Sequence, residues 1–156
     1  MDHEFFMRRA IELSRASMRA GQGGPFAAVV VKDGAVVGEG WNQVTSHNDP
    51  TSHAEIVAIR AACATLGTFS LEGATIYTTC EPCPMCLAAI YWARLDRVFY
   101  ANSTTDAAEI GFDDGRLYQE VALPPCDREL PCSPLLAHEA RAVFNEWAAK
   151  PDKVEY

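Results

Sequence analysis

Long hydrophobic runs are missing from this sequence. The apolar stretch Phe26 to Val31 covers six residues, and no stretch approaches the roughly 20 that a membrane-spanning helix needs. Residues 1–9 lack the apolar segment of a secretory signal, so a cytoplasmic, reducing compartment is expected. The six cysteines then read as metal ligands or ordinary thiols rather than a disulfide framework. Basic residues are few: 13 Lys and Arg against 21 Asp and Glu give a formal charge of −8, and the basic ones are scattered. A phosphate backbone needs an electropositive track, so a small uncharged substrate fits this chain better than nucleic acid. Repeats, linkers and low-complexity segments are also absent. At 156 residues and 49% hydrophobic content, the chain is expected to form a single domain over residues 1–156.

Asp2 is placed to cap a first helix with Phe6, Ala10, Leu13 and Ser17 at helical spacing, stopped by residues 21–25. Two apolar, β-branched runs, 26–32 and 35–42, flank Asp33-Gly34, which predicts a hairpin. A polar loop, 43–51, leads to a helix over 52–66 with Ile56, Ile59, Ala62, Cys63 and Leu66 on its apolar face. A strand over 74–79, a helix over 83–93 and a strand over 97–101 follow, an order that implies a parallel crossover. Residues 102–121 read as loop and short helix. After Pro124, Pro125 and Pro131, a last helix over 135–149 is expected to turn Leu136, Ala140, Val143, Phe144 and Trp147 inward. The result is an α/β chain with a mixed sheet between helices.

The chemistry concentrates in His53-Ala54-Glu55 and, thirty residues on, Pro82-Cys83-Pro84-Met85-Cys86. A catalytic zinc site takes three protein ligands and keeps its fourth position open, a count that His53, Cys83 and Cys86 supply. Both cysteines fall at the start of a predicted helix, whose positive end favours thiolates. Glu55 lies two residues from His53, near the metal without occupying it, and suits general acid and base work. The H-x-E…P-C-x-x-C pattern is the signature of zinc-dependent base deaminases. Three other readings stand beside it. Cys83 and Cys86 form a C-x-x-C that also suits a redox pair. Cys80 is near enough in sequence to close a structural zinc site. Ser52 to Glu55 matches a helix capping box, in which Glu55 only bonds the Ser52 backbone. Cys63, Cys126 and Cys132 have no role assigned.

On Gly23-Gly24-Pro25-Phe26, Val31-Lys32-Asp33-Gly34, Asn48-Asp49-Pro50-Thr51, His53-Ala54-Glu55, Cys80-Glu81-Pro82-Cys83-Pro84-Met85-Cys86 and Ala89-Ile90-Tyr91-Trp92-Ala93-Arg94, the chain resembles the zinc-dependent cytidine deaminase-like superfamily. Thr105-Asp106-Ala107-Ala108, Gly111-Phe112-Asp113-Asp114 and the terminal Glu155-Tyr156 resemble its guanine deaminase branch. The resemblance implies a three-layer α/β/α cytidine deaminase-like fold with a mixed central sheet of four to five strands. It implies hydrolysis of guanine to xanthine and ammonia, a zinc-bound hydroxide attacking C2 while Glu55 shuttles protons. Asn42 would meet the O6 and N7 edge, the Ala54 backbone N–H would donate to the ring, and Phe26 would stack on the base. Asp114 would serve as a second acid near the leaving amine, and Trp92 would line the pocket or fill core. The branch further implies a homodimer that exchanges the tail over 150–156, so that Tyr156 closes the partner's pocket. Two positions depart from the pattern: Ala27 stands where glycine is frequent, and Pro134 where a fifth strand would run. The zinc motif alone also admits cytosine, a guanine nucleoside, an aminotriazine or a pterin as substrate. A tRNA adenosine deaminase or a silent zinc module are the remaining alternatives.

Overall fold

Asp2 does cap the first helix: its carboxylate accepts the Phe5 N–H at 3.0 Å, at the start of α1 (His3–Arg19). A computed structural model describes residues 2–156. The hairpin follows, β1 (Ala27–Lys32) and β2 (Ala35–Trp41), turned by Asp33 and Gly34 at φ 52° and 77°. Both residues in the left-handed region give the primed turn whose twist matches paired strands. The order continues with α2 (Val44–His47), α3 (Ala54–Leu66), β3 (Ala74–Cys80), α4 (Pro84–Trp92) and β4 (Arg97–Asn102). Then come α5 (Thr104–Glu109), α6 (Gly115–Ala122), a 3₁₀ turn (Pro125–Asp127) and α7 (Ala137–Ala149). The sequence pattern shows neither α2 nor α5, because each is little more than one turn and carries no apolar period.

The four strands lie in the order β2-β1-β3-β4. β1 is antiparallel to both neighbours, whereas β3 and β4 are parallel and joined through α4, as the strand-helix-strand order required. Central β1 is covered on both faces, which explains its unbroken apolar run. Ala28 and Val30 face one core with Ala54, Ala58, Ala62, Ile76 and Ile90. Val29 and Val31 face the other with Phe6, Ala10 and Tyr77. The sheet is therefore layered between α1 and the α3–α4 pair. No fifth strand forms near Pro134.

Two packing expectations are corrected. The buried stripe of α3 is Ala54, Glu55, Ala58 and Ala62, while Leu66 is exposed and Ile56, Ile59 and Cys63 are only partly covered. Small residues win because α3 lies in backbone contact with β2: a Cβ on Gly40 would sit 2.3 Å from the Ala54 carbonyl oxygen, and one on Gly38 would sit 2.5 Å from that of Ala58. Larger side chains on that face would lift the helix away. The second correction concerns α7, where Leu136, Ala140, Val143, Phe144 and Trp147 are exposed in the single chain, Phe144 by 77%. Both faces of the sheet are already occupied by earlier helices, so this apolar helix finds no layer of its own chain to cover.

Gly40→Ala is expected to destabilise the protein by about 2 kcal/mol or more, since backbone rather than a flexible side chain must yield. Urea unfolding measures it, and an unchanged midpoint would contradict the close approach.

Candidate active site

His53 and Cys83 are the residues immediately before α3 and α4, and both have extended backbone, at ψ 155° and 168°. Neither side chain caps its helix. Pro84 opens α4 at the first helical position, where its missing N–H costs nothing. The two side chains converge instead: His53 Nδ1 lies 3.5 Å from Cys83 Sγ and 3.6 Å from Cys86 Sγ. Tetrahedral zinc with its usual bonds to sulfur and imidazole nitrogen would hold such atoms about 3.6 Å apart. The three residues thus fit the ion in donor type, number and spacing. Cys80 stays outside this group; its thiol points to the Ser103 carbonyl at 3.8 Å, and burial pushes it up to about 11. Three protein ligands leave the open position that a catalytic site requires.

Charge at the site is arranged around one thiolate. Cys83 is held down at about 4, chiefly by the hydrogen bond from the Cys86 thiol, and Cys86 is raised for the same reason. His53 is raised by its contact with Cys83. Glu55 is 7% exposed, and burial pushes its carboxyl up. The Thr78 hydroxyl donates to the Cys80 carbonyl at 3.0 Å and only grazes Glu55 Oε1 at 3.4 Å, while hydrogen bonds from the Glu55 backbone and the Cys86 thiol oppose the effect of burial. The capping box does not form: Ser52 instead donates to Asp49 Oδ2 at 2.7 Å.

A cavity of about 250 Å³ opens on these groups, lined by His53, Ala54, Glu55, Cys83, Phe26 and Asn42 together with Phe112 and Asp114. That is slightly below the range of about 300–1,000 Å³ for larger ligands and suits one flat heterocycle. Asn42 is 9% exposed, and its side-chain oxygen accepts from the backbone N–H groups of Val44 at 3.2 Å and Gly24 at 3.4 Å. The amide orientation is thereby fixed, with Nδ2 left as the donor. Phe26 meets Phe112 edge to face, centroids 4.9 Å apart. Asp114 precedes α6 but makes no capping bond; Asp113 takes that role by accepting the Gly115 N–H at 2.9 Å. Burial raises the Asp114 carboxyl, and the Cys83 charge adds to it. Ala27 is fully buried and outside the lining, so its methyl leaves the pocket unaltered.

The structure does not bring Trp92 or Tyr156 to this pocket. They are 66% and 72% exposed and lie against each other, centroids 6.1 Å apart. Conversely, Phe112 and Glu81 line the cavity without having been singled out by the sequence pattern. Phe112 sits between glycine and aspartate in a polar stretch with no periodic partner, and entered only as part of the segment Gly111 to Asp114 that carries the resemblance.

A layered α/β scaffold presenting His, Cys and Cys beside a buried carboxyl defines a zinc-dependent hydrolytic deaminase. The chain belongs to the cytidine and deoxycytidylate deaminase zinc-binding family, whose model matches residues 1–102. It is 51% identical to guanine deaminase of Bacillus subtilis over 156 residues, the whole of both chains. The crystal structure of the B. subtilis guanine deaminase superposes with a TM-score of 0.97, covering 100% of this chain and 99% of that one. A guanine deaminase structure from Nitrosomonas europaea reaches a TM-score of 0.69 at 35% identity, over 72% of this chain and 65% of that one. A tRNA-specific adenosine deaminase of Aquifex aeolicus is 37% identical over 101 residues, 65% of this chain and 66% of its own. The fold is that of the cytidine deaminase-like proteins.

Cys86→Ala is expected to lose bound zinc, whereas Cys80→Ala retains one ion per chain; elemental analysis of the purified variants distinguishes three ligands from four. A second prediction concerns the loop that enters His53. Asp49 is held at about 2 by the Ser52 hydroxyl first and then by the Thr51 hydroxyl and N–H. Its lowered pKa means a contribution present above about pH 4 and lost as pH falls toward about 2. Wild type should therefore melt above Asp49→Asn near neutral pH, with the gap closing through that acid window.

Proposed function

We propose that this chain hydrolyses guanine to xanthine and ammonia. The observation that carries the choice of base is likeness to guanine deaminase along the full chain, through residues 103–156, beyond the zinc-binding match. The pocket is small, and the −8 charge with scattered basic residues does not favour an RNA substrate.

His53, Cys83 and Cys86 would hold the ion. When bound, zinc supplies Lewis-acid activation of water in its open position. Phe26 stacks on the base, and Asn42 Nδ2 donates to the acceptor edge at O6 and N7. The Ala54 N–H, in the first turn of α3, gives a second donor. These contacts set the C2 amine against Glu55 and Asp114. Glu55 takes a proton from the attacking water as its bond to C2 forms, and passes it to the neighbouring ring nitrogen. The raised affinity of Glu55 for a proton suits it to take the second one from the hydroxyl now on C2 and deliver it to the amine, which leaves as ammonia when the C–N bond breaks and the C2 carbonyl forms. Asp114, also raised by burial, stands as the second acid beside the leaving group.

The whole chain is taken as one deaminase domain acting as a homodimer. In support, α7 exposes Val143, Phe144 and Trp147, and a second exposed aromatic patch is formed by Tyr91, Trp92 and Tyr156. Exchange of the tail would move Tyr156 off Trp92 and carry it to the partner's pocket. A reducing cytoplasmic location suits the free thiols.

Glu55→Gln should keep its zinc and lose at least about 100-fold in guanine turnover. Ammonia release from zinc-loaded wild type, compared across guanine, guanosine, cytosine, an aminotriazine and a pterin, tests the base directly; no release from guanine contradicts the assignment. Sedimentation tests the dimer, and deleting residues 150–156 should lower turnover while zinc content stays constant.

A further inference from the structure

Asp114 stands at the entry to α6, a helix that buries none of its residues. Most of what holds α6 lies in the exposed segment that follows it. Arg116 pairs with Glu129, the Glu129 N–H donates to Glu120 Oε2 at 2.9 Å, and Arg128 Nε donates to the Glu120 and Leu123 carbonyls at 3.2 and 3.0 Å. None of these bonds reaches the sheet or the metal ligands. Among the described residues, one hydrogen bond joins α6 to the body of the protein: the Tyr118 hydroxyl donates to the Pro82 carbonyl at 2.5 Å.

Both ends of that bond bear on the site. Pro82 precedes the ligand Cys83, so its carbonyl is as fixed as the ligand turn itself. That turn is further tied by the Glu81 N–H donating to the Asn102 carbonyl at 2.8 Å and the Asn102 amide donating to the Thr79 carbonyl at 3.0 Å. Tyr118 lies one helical turn after Asp114, on the same face, and its N–H donates to the Asp114 carbonyl at 3.1 Å. The phenol is half-buried, and burial together with the nearby charges of Glu81 and Cys83 raises it, so its proton stays on to make the bond. Fixing its hydroxyl fixes the first turn of α6, and that turn carries the Asp114 carboxyl over the cavity.

We propose that Tyr118 is a positioning residue that latches α6 to the metal-ligand turn and so holds the Asp114 carboxyl at the leaving amine. The proposal rests on the reading of Asp114 as the second acid. Tyr118 touches neither substrate nor ion; it acts through Asp114 alone, because the distance from carboxyl to reacting nitrogen is what a loose helix would spoil. Misplacement on the order of 1 Å costs about 100-fold in well-studied systems.

The test is a double-mutant cycle on zinc-loaded protein, with guanine turnover, zinc content and melting temperature measured for wild type, Tyr118→Phe, Asp114→Asn and the double variant. Tyr118→Phe removes one oxygen and no packing volume. It is expected to lower kcat by about 10- to 100-fold with KM, zinc content and melting temperature held. In the Asp114→Asn background the same change is expected to have no further effect. Full activity in Tyr118→Phe alongside an impaired Asp114→Asn overturns the latch and leaves the acid assignment standing. A further multiplicative loss in the double variant also overturns it, because Tyr118 would then act by another route. Full activity in Asp114→Asn overturns both readings together. A fall in melting temperature or zinc that matches the lost activity assigns Tyr118 to stability and overturns the latch as well.

Discussion

The site depends on how closely α3 lies on β2. With Gly38 and Gly40 beneath Ala54, Ala58 and Ala62, helix and strand meet at backbone distance, and no side chain intervenes to set a softer spacing. His53 enters this helix and Glu55 sits in its first turn, so the depth and direction of both follow from that contact. One candidate ligand and the proposed proton carrier are thereby placed by a single rigid body. On the other side of the cavity, α4 delivers Cys83 and Cys86 after β3, the buried strand at the centre of the parallel crossover. Two helix starts thus approach one point from two strands of the same sheet, and the sheet holds their separation.

Within that frame, charge is divided so that neighbouring groups do different work. The His53, Cys83 and Cys86 atoms are engaged with one another, and the Cys83 thiol is already held in its thiolate form there. Glu55 is the reverse case. It is buried, and despite hydrogen bonds from its own backbone and the Cys86 thiol its carboxyl holds a proton more readily than an exposed glutamate would. A group that must first accept a proton and then give it up gains from such a shift. Asp49, four residues before His53, is tuned in the opposite direction by three short donors, which keeps the loop into the helix ordered without adding a mobile charge to the pocket.

Much of this was legible in the sequence, and the limits have physical causes. The metal triad needs only two spacings and the residue types, which the chain states outright. The hairpin was declared by Asp33-Gly34, and the crossover by the order of its elements. Whether Glu55 caps a helix or serves chemistry was undecidable from Ser52-His53-Ala54-Glu55, because the pattern matches both; the start of α3 after His53, rather than after Ser52, decides against the cap. The stripe of α3 was misread because apolar periodicity weights large side chains, while close helix-strand packing selects small ones. In α7 the periodicity is present, but a pattern reports that a face is apolar and says nothing of what covers it. Tyr118 escaped notice since it is tied through one contact, with Pro82, that joins segments far apart in the chain.

The central claim is that the ion is held by one imidazole and two thiolates, with Glu55 and Cys80 beside it but not bound. Zinc-edge X-ray absorption on the purified protein tests this most directly. The account predicts two sulfur neighbours at about 2.3 Å and two lighter neighbours at about 2.0–2.1 Å, one of them an imidazole and the other exchangeable. A third sulfur in the shell, or a carboxylate oxygen that disappears in Glu55→Gln, would contradict it.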